Sequence, residues 1–271
     1  MRQKLGQHFL HNQKAIELLV SSLDVQPGDI VLEIGPGLGA LTAPLTKECL
    51  EKNARLVAVE KDPSLVEKLR GESSGSLEVI LGDIRKLLAP VAASFEKSSY
   101  KIIGNIPYYL TGRLFTLISA LPHKPSRIIL TVQEEVADRI LAVPPRMNRL
   151  AAAIQIWASP EVLLRLSPED FSPPPEVRSA VLLLKTKDDA PSGKALREYY
   201  AFMRGVFAQP RKTIENNVSS FAKLPRDLVR AILRKSSVDF SARPQSLSVE
   251  SICLAAEAFV NVRSKSYNKE K

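Results

Sequence analysis

A chain of 271 residues is long enough for one sizeable core plus a smaller second domain. Its 45% hydrophobic and 25% charged residues are those of an ordinary soluble globular protein, and no apolar run approaches the ~20 residues of a membrane helix. These numbers argue against a membrane-spanning helix, and the net charge of +9 favours an anionic partner such as nucleic acid or an acidic membrane surface, nucleic acid above all.

The first ten residues, MRQKLGQHFL, have neither the apolar core of a secretory signal nor the Ser/Arg-rich run of a transit peptide, so a cytoplasmic location is expected. In this arm Arg2, Lys4 and Lys14, with His8 and His11, meet no acidic residue. From about 30 to 185, short apolar runs alternate with amphipathic stretches, the pattern of an α/β fold around a mostly parallel sheet. Strands are expected at 30–34, 55–59, 77–81, 100–103 and 127–132. Two more, at 152–157 and 179–185, are expected to pair as a hairpin closing one edge of the sheet.

The polar stretch 185–194, KTKDDAPSGK, carries Pro191 and Gly193 and reads as a linker. Beyond it, apolar residues recur at helical spacing in 197–208, 214–222, 226–235 and 248–260, with no strand-like run. The expected division is therefore an α/β domain over 1–185 and a small helical domain over 186–271. Charge divides in the same way: 22 basic against 20 acidic residues up to 185, and 16 against 9 after it. Cys49 and Cys253 lie far apart in apolar, helix-like contexts and read as reduced structural thiols, and no metal is expected.

The first expected strand runs into Glu33-Ile34-Gly35-Pro36-Gly37-Leu38-Gly39, and a helix begins near Ala40. Gly35 and Gly37 let the backbone turn sharply at the strand end and admit a ligand without a Cβ in the way. The second strand ends at Glu60, where an acid can accept both hydroxyls of a ribose. The third ends at Gly82-Asp83, placed to receive the amine of an adenine ring, although Asp83 alone reads equally well as a helix N-cap. A G-x-G-x-G run behind an acid differs from the G-x-G-x-x-G of dinucleotide sites, which seats a pyrophosphate on a helix N-terminus. S-adenosyl-L-methionine, which has no pyrophosphate, is the expected cofactor, with S-adenosyl-L-homocysteine as its product.

The fourth strand ends in Asn105-Ile106-Pro107-Tyr108, with Tyr109 after it. The exocyclic amine of adenine is a poor nucleophile because its lone pair is delocalised into the ring. Two acceptors, the Asn105 oxygen and a backbone carbonyl near Ile106 or Pro107, would let that nitrogen pyramidalise and aim its lone pair at a methyl sulfonium. Pro107 fixes the backbone that points the carbonyl, and Tyr108 can stack on the base. Alignment and hydrogen bonding then supply most of the acceleration.

Taken in order, the motifs resemble the small-subunit ribosomal RNA adenine N6-dimethyltransferase family over nearly the whole length. They are Leu5-Gly6-Gln7-His8-Phe9-Leu10, the glycine loop, Asn105 to Tyr108, Gln133-Glu134-Glu135-Val136, Phe171-Ser172-Pro173-Pro174-Pro175 with Val177 and Ser179, and Arg211-Lys212-Thr213 with Asn216-Asn217. The resemblance implies a Rossmann-like sheet followed by a small all-helical domain. It implies that His8 and Leu10 close over the cofactor, that Gly35 meets its amino acid end, that Glu60 holds the ribose, and that Asp83 binds its adenine. Asn105 would lie between cofactor and target, and Phe171 would stack on a flipped adenine opposite Tyr108; core packing is the alternative for Phe171. Many relatives carry Asn where this chain has His8.

The resemblance further implies dimethylation of two adjacent adenines near the 3′ end of small-subunit ribosomal RNA, by a monomer acting on the pre-ribosomal small subunit. Arg204, Arg211, Lys212, Lys223, Arg230 and Arg234, with Arg226 and Lys235, are the expected contacts to the RNA backbone. Three rival readings stay open. One is the related large-subunit enzyme of the macrolide-resistance type, which shares the loop and Asn-Ile-Pro-Tyr; the second is an assembly factor whose methylation is secondary. The third, a dehydrogenase, leaves Asn105 to Tyr108 without a role.

Overall fold

The computed structural model describes residues 7–72, 77–95 and 99–267. The arm contributes a short strand, β1 (Phe9–Leu10), and Asn12 then caps α1 (Gln13–Leu23), its side-chain oxygen accepting from the Ala15 N–H at 3.1 Å. Apolar residues at helical spacing, Ala15, Ile16, Leu19, Val20 and Leu23, turn one face of α1 into the core. Strands and helices then alternate: β2 (Ile30–Ile34), α2 (Thr42–Glu51), β3 (Arg55–Glu60), α3 (Pro63–Glu72), β4 (Leu77–Leu81), α4 (Ile84–Ser94), β5 (Tyr100–Asn105), α5 (Thr111–Ala120) and β6 (Arg127–Gln133).

After α6 (Glu134–Ile140) and α7 (Arg149–Gln155) come β7 (Ala158–Leu166), a two-residue β8 (Phe171–Ser172) and β9 (Ser179–Thr186). The seven-stranded sheet has the order β4-β3-β2-β5-β6-β9-β7. The five strands from β4 to β6 are parallel to their neighbours, and β9 runs antiparallel to β6. In β2 every residue is buried, as in a strand covered on both faces. The chain moves from β2 outward through β3 and β4, then returns to β5 on the other flank of β2. That reversal opens a crevice at the carboxyl ends of β2 and β5, where open α/β sheets bind ligands. At the opposite end of the same strands, Lys101 makes a buried ion pair with Asp29 at 2.6 Å and also donates to the Asp24 carbonyl.

One expected strand is a helix. Residues 152–157 do not open the edge pair; α7 ends at Gln155, and the strand that lies beside β9 begins at Ala158. The cause is local: the Asn148 side chain accepts from the Leu150 and Ala151 N–H groups at 3.0 and 3.1 Å, and a run of alanines carries the helix onward.

Two compact units emerge. One holds the chain to Ala137 together with Pro160–Thr186; the other holds Asp138–Ser159 and everything from Lys187. The break after Thr186 falls beside the expected boundary, whereas Asp138–Ser159 belongs with the helices rather than with the sheet. Those helices are α8 (Gly193–Val206), α9 (Ile214–Ala222), α10 (Arg226–Lys235) and α11 (Val249–Tyr267). Hydroxyls of Tyr199 and Tyr200 on α8 donate to the Ala152 and Ala153 carbonyls of α7, each at 3.0 Å, which explains why α7 joins this unit. Cys49 and Cys253 are both free thiols.

Candidate active site

The glycine loop is built around Glu60. This buried side chain ends β3, and its Oε1 accepts the Lys61 and Asp62 N–H groups at 2.7 and 2.9 Å. Its Oε2 accepts the Gly37 N–H at 3.2 Å, tying the end of β3 to the loop that follows β2. A carboxylate has four acceptor positions, so one on Oε2 is left for a ligand hydroxyl. Gly37 needs to be glycine for two reasons: its φ is +58°, and a Cβ there would meet the Phe9 ring at 3.0 Å. Phe9 thus lies directly on the loop, with Gly35 and Leu10 in the lining of the same pocket.

Glu33 also lines this pocket and is the residue that sequence reasoning named without assigning work to it. It is 1% exposed, and neither of its oxygens has a hydrogen-bond partner among the described residues. Burial pushes its carboxyl up to about 8; the nearby Thr42 hydroxyl offsets this only in part, making no hydrogen bond of normal geometry, and Glu60 adds repulsion. A buried carboxyl whose oxygens lack partners at a pocket wall suits a cationic ligand, whose charge would favour the ionised form that burial disfavours.

Asp83 satisfies both of its sequence readings. It caps α4, accepting the Arg85 N–H at 2.9 Å, and it lines the pocket. The Arg85 fork also grips it, with Nε 3.0 Å from each oxygen and a terminal nitrogen at 2.5 Å from Oδ2. That hydrogen-bonded guanidinium holds the Asp83 carboxyl down to about 2. An adenine amine would therefore share Asp83 with Arg85.

Asn105 ends β5. Its Nδ2 donates to the His8 carbonyl at 2.7 Å, and because a carbonyl only accepts, the side-chain oxygen is turned to the other side. Pro107, with φ −56° and ψ 134°, leads into a 3-10 turn over Tyr108–Leu110, where the Leu110 N–H donates to the Pro107 carbonyl at 2.9 Å. The Tyr108 hydroxyl lies 2.5 Å from Ser179 Oγ, and its ring stacks with that of His8 at 5.8 Å between centroids and 22° between planes. His8 is in turn anchored through Nδ1, 2.8 Å from the Pro173 carbonyl. Leu5 and Gly6 of the arm motif, like Arg2 and Lys4, lie outside the described residues.

Phe171 departs from the stacking role expected of it. It pairs with Leu10 across the β1–β8 ladder, and the alternation of that strand turns Phe171 inward and Ser172 outward. The ring is 2% exposed and belongs to the core cluster that contains Leu10, Leu19 and Leu166. The ring beside Tyr108 is that of His8.

Of the basic residues expected to meet RNA, Arg204, Arg211, Lys212, Lys223 and Arg234 are exposed. Arg230 is different: its Nε donates to Glu215 at 2.8 Å and its guanidinium lies 5.2 Å from the Phe240 ring centre, so it holds α9 and α10 together. In the same unit, a cleft lined by Arg139, Met147, Asn148, Arg149, Phe207, Pro210 and Gln245 places two further exposed arginines beside Pro210, the residue before Arg211. Sequence reasoning missed them because Arg139 and Arg149 sit in a stretch read as part of the α/β domain. Among the described residues, no His/Cys/Asp/Glu group has the arrangement of a metal site, and no helix is long and apolar enough to cross a membrane.

Over residues 1–260 the chain matches the family described as ribosomal RNA adenine dimethylase. It is 34% identical over 257 residues to ribosomal RNA small subunit methyltransferase A of Alkaliphilus metalliredigens (strain QYMF), covering 92% of this chain and 88% of that relative. Among solved structures it is similar to the 23S rRNA methyltransferase ErmE, with a TM-score of 0.68 and 25% identity over 92% of this chain and 98% of that one. A dimethyladenosine transferase from Plasmodium falciparum shares the fold, with a TM-score of 0.79 at 22% identity, covering 94% of this chain and 98% of the other. The Rossmann-like sheet, the acid-braced glycine loop and the Asn105–Tyr108 turn thus stand in a chain that belongs to the ribosomal RNA adenine dimethylase family.

Proposed function

We propose that this chain uses S-adenosyl-L-methionine to dimethylate N6 of two adjacent adenines near the 3′ end of small-subunit, 16S-type ribosomal RNA, during ribosome biogenesis. The observation that carries this reading is the orientation of Asn105: its Nδ2 is fixed on the His8 carbonyl, so its oxygen is committed to accepting a hydrogen. The family and the small-subunit name of the relative in Alkaliphilus metalliredigens support the substrate.

The pocket residues fit the cofactor. Its ammonium has a counterpart in Glu33, the buried carboxylate without partners, with Gly35 leaving room beside it. Its ribose has one in the spare acceptor position of Glu60, and its adenine amine one in Asp83. His8 and Leu10 close the arm over the site from β1. When bound, S-adenosyl-L-methionine supplies the methyl group, leaving S-adenosyl-L-homocysteine.

Asn105 accepts one hydrogen of the target amine. A backbone carbonyl of the same turn, that of Ile106 or Pro107, takes the second; the Leu110 N–H already occupies one of the two acceptor positions at Pro107, which favours Ile106. With both hydrogens held in the first transfer, the nitrogen lone pair is freed from the ring and aimed, and no strong base is needed before transfer. The proton becomes acidic once the methyl is on nitrogen and then leaves to water. In the second transfer the one remaining hydrogen is held in the same way before it too is released. Tyr108 presents its ring to the flipped base. The exposed Arg204, Arg211, Lys212, Lys223 and Arg234, joined by Arg139 and Arg149, grip the RNA backbone; Arg230 stabilises their scaffold. The partner in this reading is the pre-ribosomal small subunit, met in the cytoplasm by a monomer.

The test incubates the protein and labelled S-adenosyl-L-methionine with undermethylated small subunits and, separately, with large subunits, and maps the labelled base. Label confined to adenine of the small subunit is expected. Label on the large subunit, on cytosine or on neither would overturn the reading.

A further inference from the structure

Tyr109 is 70% exposed, the highest value among the large hydrophobic side chains of the described residues, and it stands at the rim of the pocket directly after Tyr108. Packing gives no reason for an aromatic ring there, since exposure forfeits its hydrophobic contribution. The backbone runs without a break from this turn into α5: Leu110 (φ −85°, ψ −23°) and Thr111 (φ −51°, ψ −53°) are both right-handed helical. Tyr109, Gly112, Arg113 and Thr116 consequently follow helical spacing and are all exposed, while Leu110, Leu114, Phe115 and Ile118 face the core. A Cβ at Gly112 would meet nothing within 4 Å, so the stripe is open between the ring and the guanidinium. No acidic residue occurs between Tyr100 and Gln133, and Arg113 has no ion-pair partner among the described residues.

We propose that Tyr109 and Arg113 form a landing strip for the RNA nucleotide next to the target adenine: the base stacks on Tyr109 and its phosphate lies against Arg113. This rests on the RNA adenine reading above. An aromatic face followed by a free cation matches how single-stranded nucleic acid is held, by stacking and by charge, with little demand on base identity. Charge complementarity favours RNA over a protein partner on this stripe, and its continuity with the pocket sets which nucleotide arrives. Where two neighbouring adenines are both substrates, the one outside the pocket rests on Tyr109 while the other occupies Tyr108.

The experiment measures methylation of undermethylated small subunits by the wild-type chain, Tyr109→Ala, Tyr109→Phe and Arg113→Ala, with cofactor affinity recorded for each. Tyr109→Ala is expected to lower kcat/KM for the subunit by about 5- to 150-fold, the loss of one stacked base at roughly 1 to 3 kcal/mol, with the cofactor Kd unchanged. Tyr109→Phe keeps the ring face and is expected to behave as wild type. Arg113→Ala is expected to weaken subunit binding and flatten its salt dependence by about the share of one phosphate. Wild-type rates for Tyr109→Ala, or an equal fall in Tyr109→Phe, overturn the strip. A wild-type chain that labels no small-subunit adenine overturns the function reading and the strip together.

Discussion

Asn105 is oriented by the backbone of His8, whereas the His8 ring serves Tyr108: Nδ2 of Asn105 reaches the His8 carbonyl at 2.7 Å, and the two rings stack 5.8 Å apart. Backbone and side chain of one arm residue thus hold two different parts of the Asn105–Tyr108 turn. His8→Ala keeps the carbonyl and loses the ring, so the subunit KM is expected to rise several-fold with kcat largely kept. Asn105→Ala removes the acceptor itself and is expected to lower kcat by roughly a hundredfold or more, the usual cost of deleting one preorganised hydrogen-bonding group. Steady-state kinetics on undermethylated small subunits separate the two; equal losses in kcat would show that the ring, too, aligns the target.

Glu60→Ala is expected to weaken cofactor binding more than tenfold and also to lower stability. The carboxylate accepts three backbone N–H groups, from Gly37, Lys61 and Asp62, which its removal leaves without this partner. Calorimetric titration and thermal melting check both. Loss of cofactor affinity without any change in melting would mean that the loop is held by something other than Glu60.

The proton on Glu33 links pH to stability and to cofactor affinity. In the unfolded chain the carboxyl ionises near 4.5, and in the folded chain near 8. Between those values the folded state holds more protons, so stability conferred at low pH is lost as pH rises through this window. Glu33→Gln cannot ionise: it is expected to melt close to wild type at pH 5 and above it at pH 8.5. A cationic ligand favours the ionised carboxylate, so wild-type cofactor affinity is expected to climb with pH through the same window, and that of Glu33→Gln to stay flat. Parallel affinity profiles for the two proteins would remove Glu33 from the binding site.

Phe171→Ala is a packing change. Emptying a site 2% exposed is expected to cost about 3 to 5 kcal/mol and to lower Tm by roughly 10 °C, with Phe171→Leu much milder. A variant of unchanged Tm that fails only on RNA would restore the ring to the target site.

Much of this was legible in the sequence because the signals were local. The strands at 30–34 and 77–81 have the bounds that their apolar runs indicate, and G-x-G-x-G behind Glu33 sits where β2 turns. What stayed hidden depended on partners distant in sequence. Phe171 reads as a stacking residue until Leu10, 161 residues earlier, pairs with it and turns it inward. Arg230 reads as one more basic residue until Glu215 and Phe240 claim it. The 152–157 run is the exception, misread for a local reason: its apolar content outweighs two nearby clues to a helix, Asn148 acting as a cap and the alanines at 151–153. Glu33 reads as a motif letter; only burial shows a carboxylate without partners.

The basic residues divide accordingly. Replacing Arg211 and Lys212 together with Ala is expected to weaken subunit binding and to flatten its dependence on log salt by about 0.7 to 0.9 for each phosphate no longer neutralised. Arg230→Ala is expected to lower Tm and leave that slope unchanged. A flattened slope in Arg230→Ala would make it an RNA-binding residue after all.

The most direct measurement is mass spectrometry of the 3′-terminal fragment of small-subunit RNA after incubation with S-adenosyl-L-methionine and either the wild-type chain or Asn105→Ala. Two methyl groups on N6 of each of two adjacent adenines with wild type, and in the same time no more than a trace with an Asn105→Ala protein that still binds the cofactor, is the predicted result. An unmodified fragment with wild type, or full modification by Asn105→Ala, would contradict the account.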